Sequence, residues 1–138
     1  MLSLIMNLRF DFLLVASLFI YNYLGGPFTT LSLIGLIISL PCYLLWIIAR
    51  IQLGKYFSTL PKAKGLVVKG LYSKLRNPVY IFSTLSIFGA ILPSNNIFQY
   101  LFLAIVICVQ FIRSHKEEKV LKKRFGKKYL QYKKQTWF

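Results

Sequence analysis

Residues 28–49, FTTLSLIGLIISLPCYLLWIIA, pass without one charged side chain. A helix needs about 20 apolar residues to cross a hydrocarbon core of roughly 30 Å, and this run meets that length. Three shorter apolar runs accompany it at 12–26, 79–92 and 97–112. Backbone groups in lipid have no water to bond, so runs of this kind are expected to be helical. The short ones can be accommodated by bilayer thinning, by snorkelling of flanking Lys and Arg, or by packing behind neighbouring helices. The expectation is a single all-α domain over 1–138: an integral membrane bundle of about four transmembrane helices with a basic cytoplasmic C-terminal helical extension. A hydrophobic fraction of 57% and a mean hydropathy of +0.59 agree with that class. The first run has Arg9 as a charged flank, as a signal peptide would, but no small-residue cleavage site follows, so it is expected to be retained.

Charge orients the bundle. The 18 Lys and Arg fall in three places: Arg9, seven positions from Arg50 to Arg76, and ten from Arg113 onward. The short connections GGP (25–27) and PSNN (93–96) carry none. Basic residues concentrate on the cytoplasmic side of membrane proteins, so both termini and the 50–77 connection are expected there, in a multi-pass topology. A net charge of +15 also raises nucleic acid as a partner, but no recognition motif for it is present. Basic residues that flank spans on one side are attracted to anionic headgroups at about 1 kcal/mol each, which makes membrane lipids the expected partner. Cys42 and Cys108 lie inside apolar runs and imply neither a disulfide nor a metal site.

The outer turns are too short to hold a site, which leaves the cytoplasmic side. There, KGLYSKLRNPVY (69–80) ends in Asn77-Pro78, a good helix start with Asn at the N-cap and Pro at the first helical position. Gly70 permits a turn or a close approach by a ligand. The amides of the new helix, with Arg76 beside them, suit a carboxylate or phosphate. Composition alone favours a simpler reading: Arg76 snorkels, Asn77 only caps, and Tyr72 and Tyr80 belong to an interfacial aromatic belt.

The fourth helix has no breaker from Ile97 to Phe125, about 43 Å at 1.5 Å per residue, so it outlasts the bilayer. Gly126 is expected to interrupt it. Two of the three acids, Glu117 and Glu118, are neighbours in this basic extension. Charge relief alone, through pairs such as Glu118 to Lys122 worth about 0.3 to 0.5 kcal/mol, calls for acids spread along the tail rather than adjacent. Helical spacing puts Glu117 above Arg113, and puts Glu118 on one face with Leu121, Phe125, Tyr129 and Tyr132, which would turn Glu118 toward the bundle.

Residues 50–82, RIQLGKYFSTLPKAKGLVVKGLYSKLRNPVYIF, followed by 113–132, RSHKEEKVLKKRFGKKYLQY, resemble the integral-membrane methyltransferases that include isoprenylcysteine carboxyl methyltransferase and the phospholipid methyltransferases. The matching positions are Arg50, Leu53 and Gly54; then Gly70, Tyr72, Arg76, Pro78 and Tyr80; then Arg113, Glu117, Glu118, Leu121, Phe125, Gly126, Tyr129 and Tyr132. Asn77 stands where that family often has His; it can donate a hydrogen bond but is no proton-transfer base near neutral pH. The resemblance implies S-adenosylmethionine as cofactor, held at the cytoplasmic end of the bundle by Gly70, Tyr72, Arg76, Asn77, Pro78, Tyr80, Glu117 and Glu118. It also implies a lipidic methyl acceptor, an isoprenylcysteine carboxylate or a phospholipid amine, with Arg50 and Arg113 as catalytic residues. Two alternatives stand beside it: an NADPH-dependent enzyme of the sterol-reductase kind, whose tail tends to show Arg-Asp where this chain has Glu117-Glu118, and a non-catalytic lipid-binding scaffold.

Overall fold

The structure, a computed structural model, describes residues 2–54 and 66–137, with side chains from residue 13 onward. The expectations for Arg9 and for the basic residues of 55–65 lie outside these described residues. Among the described residues there are four α-helices: α1 (Leu2–Leu24), α2 (Thr30–Leu53), α3 (Pro78–Ile91) and α4 (Ile97–Gln135), with a 3-10 turn at Gly70–Ser73 before α3. Two of them, α2 and α4, are long and apolar enough to cross a membrane; Leu13–Leu24 and Pro78–Ile91 are shorter apolar helices.

The elements start where their local chemistry directs. Thr29 and Ser32 form a reciprocal capping box on α2, and the Asn96 side chain accepts from the Phe98 amide to cap α4. Small residues then set how closely α2 and α3 approach. A Cβ added to Gly89 would lie 2.7 Å from the Gly35 carbonyl oxygen and 2.7 Å from the Ser39 amide nitrogen, distances no real side chain tolerates. Ser39 donates to the Ser86 carbonyl at 2.9 Å across the same seam, and Tyr23 of α1 donates to the Gly89 carbonyl at 2.9 Å. Where lipid removes the hydrophobic drive between helices, such close small-residue contact and interhelical hydrogen bonds carry the packing.

Two cores lie along the bundle. Val15, Ile87, Ile91 and Leu103 form one, among α1, α3 and α4. Trp46, Ala49, Tyr72 and Val79 form the other, beneath the 3-10 turn. The outward face of α4 is apolar from Phe98 through Ile105 to Phe111. At Gly126 the backbone takes φ 47° and ψ −119°, so the helix breaks there as the sequence led one to expect and resumes in a new direction to Gln135.

Candidate functional site

Three segments converge at one end of the bundle: the 70–76 stretch, the start of α3, and the last third of α4. Gly70 has φ 64°, which favours glycine, and the Gln52 amide packs against it so closely that a Cβ would collide. Gln52 also accepts from the Leu71 amide at 2.8 Å. The glycine therefore serves the chain's own turn, and α2 is what approaches it.

The chain beyond Gly126 folds back over this turn. The Tyr132 hydroxyl donates to the Tyr72 carbonyl at 2.7 Å, and Leu75 pairs with Trp137 in a short parallel bridge. In that bridge the Trp137 amide donates to the Lys74 carbonyl at 2.7 Å and the Arg76 amide to the Trp137 carbonyl at 3.2 Å. Tyr72, Tyr129 and Tyr132 are all buried. Burial pushes the Tyr132 hydroxyl up to about 12 and raises that of Tyr72, so both stay protonated donors at neutral pH.

Asn77 occupies the N-cap of α3 with Pro78 in the first turn, but its side chain does not cap. Instead the amide donates to the Ser114 hydroxyl at 2.7 Å, so the side chain ties α3 to α4. One turn on, the Tyr80 hydroxyl donates to Glu117 at 2.6 Å.

The two acids divide in the opposite way from the helical-spacing expectation. Glu117 faces the bundle, where burial pushes its carboxyl above the usual range against the opposing pull of the Tyr80 hydrogen bond and the Arg113 charge. Glu118 lies nearer solvent, beside Arg76 at 3.8 Å and hydrogen-bonded by Lys133, whose donation chiefly lowers its carboxyl. Lys122 is exposed and is not its partner in an ion pair among the described residues. Counting fours from Glu118 to Tyr129 and Tyr132 assumed one straight helix; the break at Gly126 resets the phase, and the tail reaches Glu118 by folding back.

A cavity of about 280 Å³ opens between the helices on the other side of Tyr80. Arg50 of α2 and Arg113 of α4 both line it, along with Trp46, Val79 and Ile87. Arg50 is buried, its guanidinium stacked 5.4 Å from the centre of the Trp46 ring. Tyr80 thus joins two compartments of the site: a polar cluster of side chains, Glu117, Glu118, Arg76 and Asn77, and the apolar cavity lined by Arg50 and Arg113. Of the sequence-selected residues, Arg50 and Arg113 lie at the cavity and Arg76, Asn77, Tyr80, Glu117 and Glu118 at the polar cluster, while Gly70 and Tyr72 belong to the turn beneath the tail. Reading the chain alone passed over Ser114, Gln52, Lys133 and Gln110, ordinary polar residues whose partners lie 15 to 37 positions away.

The model of one protein family, phospholipid methyltransferase, matches residues 29–128. No curated protein and no solved structure matches the chain. The match runs from the cap of α2 across both compartments to just past the break at Gly126 and covers well over half of the sequence, so this chain belongs to the phospholipid methyltransferase family.

Proposed function

We propose that this chain is an integral membrane enzyme that transfers a methyl group from S-adenosylmethionine to a lipidic acceptor at the cytoplasmic face. Its four helices span the membrane, with both termini and the polar compartment on that face. Family membership implies methyl transfer to a membrane lipid. What carries the finer reading is the meeting of two compartments at Tyr80, one polar and covered by the C-terminal tail, one apolar and reaching into the bundle.

The polar residues fit the cofactor by their chemistry. Arg76 Nε is buried without a hydrogen-bond partner, a setting that suits a carboxylate. Glu117 and Glu118 suit hydroxyls and cationic groups, and they offset the repulsion a basic protein would exert on a cationic ligand. When bound, S-adenosylmethionine supplies a methyl group already activated on a sulfonium, so the protein's part is alignment and exclusion of water. Tyr80 fixes the Glu117 carboxyl. Tyr132 and the Leu75–Trp137 bridge hold the tail down as the cover. Arg50 and Arg113 receive an anionic group of the acceptor, whose apolar chain lies against Trp46, Val79 and Ile87. A carboxylate acceptor needs no base, whereas an amine must lose a proton; Asn77 cannot take it, and Glu117, whose proton affinity burial raises, can.

The test is incubation of purified protein with methyl-labelled cofactor and total membrane lipid, followed by identification of the labelled product, alongside calorimetry with S-adenosylhomocysteine and NADPH. A labelled lipid and stabilisation by S-adenosylhomocysteine of about 2.7 kcal/mol at a hundredfold excess over Kd are expected. Binding of NADPH instead would move the chain to the reductase reading, and binding of neither to the scaffold.

A further inference from the structure

Several serine and threonine hydroxyls on these helices bond to a carbonyl one turn back or to a neighbouring helix. Ser83 and Thr84 both donate to the Tyr80 carbonyl, at 3.1 and 2.9 Å, and Ser39 crosses to the Ser86 carbonyl. Ser86 departs from that habit. It is 1% exposed, it lines the cavity, and its hydroxyl has no hydrogen-bond partner. A buried hydroxyl without a partner is costly, and most so in surroundings this apolar. Gln110, which lines the same cavity, is already engaged: it accepts from Thr84 at 2.6 Å and donates to Ser83 at 3.0 Å.

The position of Ser86 along α3 indicates what such a donor would meet. Six residues separate it from Tyr80, where the compartments join, a rise of about 9 Å along the helix axis. In an extended glycerophospholipid the first acyl ester carbonyl lies a comparable distance from the headgroup nitrogen. A prenylated cysteine has only hydrocarbon at that depth and would leave the hydroxyl unsatisfied.

We propose that Ser86 is a specificity-determining residue that donates its hydroxyl to an acyl ester carbonyl of the acceptor, selecting ester-linked glycerolipids over prenyl chains and over ether-linked lipids. The inference rests on the proposed placement of the acceptor in this cavity and deepens it. Small size at position 86 is explained by the close α2–α3 seam, but Ala would serve that purpose equally, so size does not account for the hydroxyl.

The experiment reads binding without requiring turnover. In a Trp137→Phe background, the fluorescence of buried Trp46, which lines the cavity, reports its occupancy. Micelle-solubilised protein is titrated with phosphatidylethanolamine brominated in its chains, in ester-linked and ether-linked forms. About fivefold tighter quenching by the ester lipid is expected, the factor one neutral hydrogen bond supplies, and Ser86→Ala should abolish that preference while leaving ether-lipid quenching unchanged. Equal quenching by both lipids, or an ester preference that survives Ser86→Ala, overturns the role of Ser86 whether or not methyl transfer is observed. Methylation of a prenylcysteine in place of any glycerolipid would overturn it as well, while leaving the methyltransferase reading intact.

Discussion

The two seams of α3 are built on different principles. Against α2 it packs with backbone close to backbone where Gly35 meets Gly89, and Ser39 bridges the same seam to the Ser86 carbonyl. Against α4 it is joined by a ladder of side-chain hydrogen bonds: Asn77 to Ser114, Tyr80 to Glu117, and Ser83 and Thr84 to Gln110. The first seam leaves no room around Gly35 and Gly89, whereas the cavity opens beside the second and is lined by residues of all four helices. A site needs walls that do not move and a side that can admit a ligand, and here each seam supplies one of these.

The largest expected effect breaks the tight seam. Gly89→Leu forces a side chain into the space held by Gly35 and Ser39 and should cost about 3 kcal/mol, read as loss of thermal stability in detergent. A Gly89→Leu protein as stable as the parent would mean the small-residue seam does not set the α2–α3 distance.

Next is the polar ladder at Glu117. Glu117→Gln keeps the shape and the Tyr80 bond but removes the charge, and S-adenosylhomocysteine affinity should fall about ten- to a hundredfold as a charge-assisted hydrogen bond is lost. Glu118→Gln should change affinity less, since that carboxylate is spent on Lys133 and Arg76. Equal loss in both variants would return the pair to one shared role.

Asn77→Ala should destabilise by about 1 kcal/mol by losing the Ser114 hydroxyl, and not by losing a cap. A double-mutant cycle with Ser114→Ala separates these, because a cap would cost the same whether or not Ser114 is present.

The smallest effects are those of pH, and the two acids should give opposite signs. Glu117 is raised by burial, so it binds protons more tightly folded than unfolded, and its contribution favours folding below the ordinary carboxylate range and is lost as pH rises through its raised value. Glu118 is lowered by Lys133, so its contribution is present above that range and is lost as pH falls through its lowered value. Stability against pH in Glu117→Gln and Glu118→Gln, compared with the parent, should therefore shift in opposite directions, with the Glu118 difference at most about 1 kcal/mol because the pair is solvent-screened.

Much of this was legible along the chain. The four described helices announce themselves as apolar runs between charged or turn-forming stretches. Pro78 at a helix start and Gly126 at a break are local backbone effects, and both appear where the residues put them. The family motifs were likewise linear patterns, and they brought Arg76, Tyr80, Glu117 and Glu118 to notice before any contact among them was known.

Contacts that cross the chain were not legible. Nothing at position 114 distinguishes the serine that takes the Asn77 amide from any other serine on a helix, and Lys133 is one of ten basic residues after position 112. Which acid turns inward depended on the face of α4 that packs against Tyr80 of α3, since spacing fixes a residue's place on its own helix and says nothing about what that face will meet. Ser86 makes the same point most sharply: the sequence by itself made it one more small residue in an apolar run, and only the packing of α2 and α3 around it decided that its hydroxyl would stand unpaired at the wall of a cavity.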